Sequence, residues 1–200
     1  MLGSISPVGE AARRQRWWLT ATAYTVASVL GGGLVGLAAG GLGQALQALT
    51  GWSPTTRLVV LALIAVVGAA ADAGRLPWRL PTWRRQVDER WLTTYRGWVY
   101  GVGFGFQLGT GLATIVTSAA TYVALAAAVL SGSVSAGVVV GVAFGLVRSM
   151  PLLLTGLLRT PEALHATTAR LEASEPLARR LTVAGQLLAG VVAAVAAMPL

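Results

Sequence analysis

The uncharged run over residues 97–147 decides the fold: GWVYGVGFGFQLGTGLATIVTSAATYVALAAAVLSGSVSAGVVVGVAFGLV. A helix that crosses the hydrocarbon core of a bilayer needs roughly 20 predominantly apolar residues, so this run is long enough for more than one crossing. A polar break at 131–133, Ser-Gly-Ser, divides it into predicted spans over about 98–130 and 134–158. The first is long for a single crossing, and we expect it to be tilted, or broken near 109–117.

Uncharged runs on both sides of this stretch predict further crossings. They support spans over about 17–41, 56–74 and 181–198. Charged residues make up 11% of the 200 residues, whereas soluble domains carry about 25%. We therefore expect an all-α fold, a polytopic helical membrane protein with about five transmembrane helices, or six if one segment is re-entrant.

The spans are expected to form a single integral membrane domain over 1–200. Its first half, 1–74, is followed over 75–97 by an amphipathic linker rich in arginine and tryptophan. The second half, 98–200, includes a cytoplasmic helix over 160–175. That helix starts with Thr-Pro-Glu, which combines a capping hydroxyl, a proline at the first helical position and an acidic first turn.

The formal net charge of +8 comes from arginine, because the chain has no lysine. The arginines lie beside the apolar runs, mostly in the head over 1–16, the linker and the loop over 159–180. This is the pattern of cytoplasmic loops in membrane proteins, so it indicates a lipid bilayer and no nucleic acid as the partner. We expect a multi-pass protein of a bacterial inner (plasma) membrane with its N-terminus in the cytoplasm.

Residue types that carry catalytic or metal chemistry do not form a pattern here. The chain has no cysteine, which excludes disulfides, cysteine metal sites and thiol chemistry. Its one histidine, His165, has no cysteine or paired carboxylate near it in the sequence. Glycine clusters at 31–33 and 101–105 lack the lysine and the preceding strand of a phosphate-binding loop. We therefore expect no enzyme activity, no catalytic residue, no metal and no cofactor.

Small residues recur at every fourth position in the apolar segments, and this spacing predicts close helix packing. Lipid gives helices no hydrophobic drive to associate, so stripes of small residues that let backbones approach supply it instead. The predicted packing glycines are Gly32, Gly36, Gly40, Gly101, Gly105, Gly109, Gly137, Gly141 and Gly145. A further series in the last span starts at Gly185. The alternative, a flexible element beside a substrate path, applies to 105–118, where glycines coincide with hydroxyl side chains.

Polar side chains at membrane depth mark a candidate pathway. Irregular or polar structure there is tolerated where it lines a water-filled cavity, and a deep arginine is a functional hypothesis by default. The predicted pathway-lining residues are Gln107, Thr110, Thr114, Thr117, Ser118 and Arg148. For Arg148 the alternative is that Pro151 ends or kinks the helix and the guanidinium snorkels to the surface. Asp72 is interpreted as an interfacial helix end.

Three segments resemble the thiol-transporting membrane proteins of the CcdA type, which also form the central domain of DsbD. They are GSISPVGEAARRQRWWLTATAYTVASVLGGGLVGLAAGGLG over 3–43, the glycine-rich, threonine-containing stretch over 103–130, and GVAFGLVRSMPLLLTGLL over 141–158. The resemblance implies two inverted repeats of three helices, each with one cysteine that passes reducing equivalents across the membrane. This chain departs from that pattern. Val8 follows Ser6-Pro7 where the family has cysteine, and no cysteine lies near 110–117.

The resemblance therefore implies a divergent member of this family, the cytochrome c biogenesis protein transmembrane region, with a degenerate inverted repeat and no cysteine pair. The favoured function is a small-solute or ion permease or exporter on a CcdA-like scaffold, without thiol redox activity. The alternative is a non-catalytic accessory or assembly subunit of a membrane complex. Such a subunit would bind a membrane-protein partner, or a second copy of the chain, through the glycine stripes, with the arginine-rich cytoplasmic surface as a docking site.

Overall fold

The computed structural model describes residues 5–77, 80–81, 90–111, 116, 118–158 and 160–198. Every regular element within these ranges is a helix. They are α1 (Pro7–Ala12), α2 (Trp17–Thr50), α3 (Pro54–Asp72), α4 (Trp91–Thr94), α5 (Gly97–Thr110), α6 (Ala120–Leu130), α7 (Val134–Leu154), a 3₁₀ turn (Thr155–Leu157), α8 (Pro161–Ala173) and α9 (Glu175–Ala196). The segments long and apolar enough to cross a membrane are Trp17–Thr50, Pro54–Asp72, Val134–Leu157 and Glu175–Ala196. The prediction of an all-α, polytopic membrane protein is confirmed.

The span predicted over 98–130 is divided into α5 and α6. α5 ends at Thr110, and Gly111 follows it in the left-handed region with φ 68°. Glycine adopts that conformation without the steric cost of a Cβ atom, so the predicted break begins at this residue. α6 starts at Ala120 and is shorter than the four long spans. Residues 112–115 and 117 lie outside the described residues.

Two other parts of the chain differ in extent from the sequence prediction. α2 runs to Thr50, well past the predicted end of the first span at about residue 41. Within α2 no proline or left-handed residue interrupts the helix, and Gly51, with φ 64°, follows its last residue. The predicted amphipathic linker over 75–97 contains α4 and the start of α5. Residues 78–79 and 82–89 of the linker lie outside the described residues.

The chain forms two compact units, each assembled from three segments. Unit 1 comprises Met1–Gly32, Trp83–Ile115 and Val142–Ser174, and unit 2 comprises Gly33–Thr82, Val116–Gly141 and Glu175–Leu200. The core of unit 1 is aromatic, since Tyr24, Tyr100 and Phe104 are buried together. The ring of Trp91 stacks on that of Phe104, with 6.1 Å between the ring centroids. In unit 2, α3 packs against α6 and α9, and small buried residues of α3 allow that approach.

Arg57 of α3 holds the carboxyl end of α6 in unit 2. Its Nη1 donates hydrogen bonds to Ser131 O at 2.9 Å, to Leu130 O at 3.4 Å and to Gln47 Oε1 at 3.0 Å. The last carbonyl groups of a helix lack intrahelical donors, and the helix dipole favours a cation beside them. The guanidinium therefore caps a neighbouring helix.

Replacing Arg57 with alanine should lower the free energy of unfolding by about 1.5–3 kcal/mol, the usual contribution of hydrogen bonds to a charged group. Thermal unfolding of the detergent-solubilised protein measures this change. Arg75→Ala is the matched control, because its side chain is exposed and has no hydrogen bond among the described residues. Equal melting temperatures for the two variants would contradict the capping role.

Candidate functional site

Asp72, the last residue of α3, gathers hydrogen-bond donors from two other segments of unit 2. Its Oδ2 accepts from Ser118 Oγ at 2.7 Å and from Gln186 Nε2 at 2.8 Å, and its Oδ1 accepts from Ala119 N at 2.8 Å. We call these four residues the Asp72 cluster. Because α6 begins at the next residue, Ala120, the carboxylate lies at the positive end of a helix dipole and accepts a hydrogen bond from one of the backbone N–H groups there.

Gln186 is the most buried side chain of the Asp72 cluster. The residue is 4% exposed, and its Oε1 has no hydrogen-bond partner in the part of the chain that the structure describes. A Cβ atom on Gly68 would lie 3.6 Å from this oxygen, so the glycine at this position leaves space beside the oxygen. An unpaired buried polar atom costs about 1–3 kcal/mol. Carboxylate, hydroxyl and amide oxygens are together suited to binding a proton or a hard cation.

The Asp72 cluster extends into the membrane-spanning part of α9. Gln186 follows Arg180 by six residues, which is roughly 9 Å along a helix that rises about 1.5 Å per residue. Residues 181–198 carry no charge. The interpretation of Asp72 as an interfacial helix end therefore missed its partner, an amide that lies within the span.

A second carboxylate, that of Glu10 on α1, is fully buried in unit 1. Its Oε1 accepts hydrogen bonds from Arg13 Nη2 at 2.7 Å and from the Tyr100 hydroxyl, and its Oε2 accepts from Thr20 Oγ1 at 2.7 Å. We call these four residues the Glu10 cluster. Burial opposes the charge on Arg13, but its hydrogen bonds to Glu10 and Tyr100 raise its pKa above the usual value. These hydrogen bonds join α1 to Thr20 of α2 and Tyr100 of α5, so this cluster holds α1 within unit 1.

Neither cluster has the composition of a transition-metal centre. Each contains one carboxylate and no histidine or cysteine. Across the described residues, no three histidine or acidic side chains come together in a way that could hold a metal ion. The side chain of His165 is not among those described.

The predicted pathway residues lie in different surroundings. Gln107 and Thr110 are at the end of α5 in unit 1, where Thr110 Oγ1 donates to Gln107 O at 2.8 Å. Ser118 belongs to the Asp72 cluster in unit 2. Thr114 and Thr117 lie outside the described residues. Among the predicted pathway residues that the structure describes, Ser118 is therefore the one bonded to a half-buried carboxylate.

Arg148 is half-buried on α7 in unit 1. Its guanidinium lies over the ring of Phe144, 5.4 Å from the ring centroid. Its Nε is buried and has no hydrogen-bond acceptor among the described residues. Pro151 does not end this helix, because α7 continues through it to Leu154. The alternative of a kink with a snorkelling guanidinium stays a prediction. The arginine is held by a cation–π contact, which is stronger where water is excluded.

Predicted packing glycines of α5 and α7 meet carbonyl groups of α2 in unit 1. A Cβ atom added to Gly101 would lie 2.7 Å from Thr20 O, and one added to Gly105 would lie 2.1 Å from Tyr24 O. Cβ atoms added to Gly109 and Gly145 would lie 2.1 Å and 2.3 Å from Ser28 O. Such distances are too short for any side chain, so the backbones themselves are in contact. Ser28 Oγ also donates to Gly145 O at 2.8 Å. Gly32 is buried in the same unit.

The glycines of unit 2 form a second backbone contact, between α2 and the start of α7. A Cβ atom added to Gly36 would lie 2.2 Å from Gly137 O and 3.0 Å from the Cα of Gly141. One added to Gly40 would lie 2.6 Å from Ser133 O, and one added to Gly137 would lie 2.4 Å from Gly36 O. Gly185 differs, because a Cβ atom there would meet nothing within 4 Å. The regular spacing therefore marks a backbone contact at most of these glycines and open surface at Gly185.

Comparison with known proteins places the chain in a family. Residues 1–195 match the family described as cytochrome c biogenesis protein transmembrane region. No curated protein and no solved structure matches the chain. The match covers nearly the whole sequence, including both clusters and every predicted pathway residue, and the sequence contains no cysteine. The chain therefore belongs to the family of the cytochrome c biogenesis protein transmembrane region, as a member without the cysteine pair.

Proposed function

We propose that this chain is a small permease or exporter whose transported or coupling ion, a proton or sodium, binds at Asp72. The observation that carries the proposal is the Asp72 carboxylate, bonded to Ser118 and Gln186, beside an amide oxygen that is buried and unpaired. Ionisable side chains within membrane segments are costly, and they commonly mark ion pathways. The proposal assigns the chain no catalytic role.

The arrangement of the helices around Asp72 supports the same function. Transporters bind substrates and coupling ions where membrane helices are discontinuous, using half-helix ends and exposed backbone groups. α6 begins at Ala120, and the Asp72 carboxylate accepts a hydrogen bond from the backbone N–H of Ala119, directly before that helix. An inner-membrane location and a cytoplasmic N-terminus remain predictions from the loop charges.

The alternative of an accessory subunit receives less support. It depends on glycine stripes that are free to bind a partner in the membrane. Gly36, Gly105 and Gly137 are instead occupied by the backbone of the same chain. A partner would need another surface, and the buried polar oxygens of the Asp72 cluster would remain without a role.

Ion entry into liposomes that contain the purified full-length protein tests the proposal. Vesicles loaded with a pH indicator or a sodium indicator receive an imposed membrane potential, and wild type is compared with Asp72→Asn and Glu172→Gln. Glu172 is an exposed carboxylate of α8, so its variant removes the same charge elsewhere. We expect the wild type to admit one of the ions faster than empty vesicles do. Asp72→Asn should lower this rate about tenfold, the equivalent of one hydrogen bond to a charged group.

A binding measurement covers the case in which the ion moves only together with a solute. Sodium, or a pH change, should shift the melting temperature of the wild type and of Glu172→Gln more than that of Asp72→Asn. Equal ion entry and equal shifts in all three proteins would refute the role of Asp72. No entry of either ion, together with no shift that depends on Asp72, would refute the permease function.

A further inference from the structure

A cavity of about 630 Å³ lies beside the amino end of α9 in unit 2. Its walls combine two arginines, one carboxylate and apolar side chains. The lining residues are Ala73, Glu175, Pro176, Arg179, Arg180, Val183, Ala184 and Leu187. The charged residues precede the uncharged run over 181–198, so the cavity has a polar end and an apolar end along one helix.

The position of the cavity in the membrane follows from this order. An uncharged helical run of this length crosses the hydrocarbon core, and arginines just before it lie at the level of the lipid headgroups. The apolar lining residues Val183, Ala184 and Leu187 come within the next two turns of α9. A ligand that fills the cavity must therefore have a polar group at the membrane surface and a hydrocarbon part beneath it.

The polar end is partly pre-positioned. Arg179 Nε donates a hydrogen bond to the backbone oxygen of Asp72, which fixes the direction of its guanidinium. Gly74 leaves space for that guanidinium, because a Cβ atom there would lie 2.6 Å from Arg179 Nη2. Arg180 is exposed at the same cavity. Two guanidinium groups are well suited to phosphate oxygens, which they bind through paired hydrogen bonds.

We infer that this cavity binds one anionic glycerophospholipid of the phosphatidylglycerol type. Two arginines and Glu175 give the cavity a net charge of +1, which matches a headgroup with a single negative charge. The phosphate would lie between the guanidinium groups, the Glu175 carboxylate would accept a hydrogen bond from a glycerol hydroxyl, and an acyl chain would lie along the apolar wall. This site adjoins Asp72 through the hydrogen bond of Arg179, but lipid binding to it does not require ion transport.

Native mass spectrometry of the full-length protein in detergent tests the inference, with added dioleoyl phosphatidylglycerol, phosphatidylethanolamine or phosphatidylcholine as probes. We expect the wild type to retain phosphatidylglycerol in preference to the other two lipids. Arg180→Gln should weaken that retention about fivefold, the effect of removing one arginine near an anionic headgroup. It leaves the Arg179–Asp72 hydrogen bond in place. Arg170→Gln, at an exposed position of α8, removes the same charge elsewhere and should retain lipid as the wild type does.

A second variant separates the shape of the cavity from its charge. Ala184→Leu fills the apolar end at an exposed position and should also reduce retention of phosphatidylglycerol. Equal retention of the three lipids, or wild-type retention by Arg180→Gln, would overturn the inference. Displacement of the lipid by millimolar inorganic phosphate would also overturn it, because the site would then bind free anions. Unchanged elution and melting temperature without added lipid establish that each variant is folded.

Discussion

Replacing Gly43 with alanine is expected to destabilise the protein strongly, whereas the same replacement at Gly41, two residues earlier on α2, is expected to be tolerated. A Cβ atom on Gly43 would lie 1.8 Å from Val129 O and 2.7 Å from Val129 C. Both atoms belong to the backbone of α6, so no side chain can rotate away. A Cβ atom on Gly41 would meet nothing within 4 Å, and alanine is a better helix former than glycine by about 1 kcal/mol.

The expected size of this difference is large for a protein of this length. Inserting one extra methylene into a packed core costs about 1–3 kcal/mol, and more when the backbone must move. Total stability is about 5–15 kcal/mol, so Gly43→Ala should lose at least about 3 kcal/mol. The measurements are the yield of monodisperse protein in mild detergent and the melting temperature. Elution and melting like those of Gly41→Ala would refute the close approach of α2 and α6 at this residue.

The glycine pattern shows how far the sequence predicts helix packing. Spacing by four places Gly36 and Gly40 on one face of a helix, and that inference needs no knowledge of the neighbours. What the face meets is decided by the tertiary structure. Gly43 lies outside the regular series and still has the shortest contact, whereas Gly185 follows the spacing and faces open surface. Periodicity identifies a face but not the backbone that approaches it.

The candidate site was predicted in part for a similar reason. Ser118 was recognised because hydroxyl side chains are unusual in an apolar run, but its hydrogen-bond acceptor is 46 residues away in the sequence and Gln186 is 114 residues from the same carboxylate. Asp72 alone has the signature of any helix end at a membrane surface. Glu10 lies in an arginine-rich polar head, where solvent exposure is the ordinary expectation. Hydrogen bonds to residues far away in the sequence distinguish these two carboxylates from ordinary exposed ones, and the residue type alone does not.

Replacing Glu10 with alanine is the second change with a large expected effect, a loss of about 3–5 kcal/mol in the free energy of unfolding. Removing this fully buried carboxylate takes away the acceptor of three hydrogen bonds. Each contributes about 1.5–3 kcal/mol, and losses that share one partner add only in part. Arg13 would lose its ion pair, and the hydroxyls of Thr20 and Tyr100 would lose their acceptor. Glu172→Ala is the control, because it removes an exposed carboxylate from α8 and should change stability by less than about 0.5 kcal/mol.

A double-mutant cycle with Tyr100→Phe tests whether the effect of Glu10→Ala arises from the Glu10 cluster itself. Tyr100→Phe alone should cost about 1–3 kcal/mol, because it removes one hydrogen bond to a buried carboxylate. In Glu10→Ala that hydrogen bond is already absent, so the same tyrosine change should then cost much less, and the two losses should not add. Additive losses would mean that the carboxylate and the hydroxyl stabilise the fold independently. A Glu10→Ala variant as stable as Glu172→Ala would mean that α1 does not bury its carboxylate against α2 and α5.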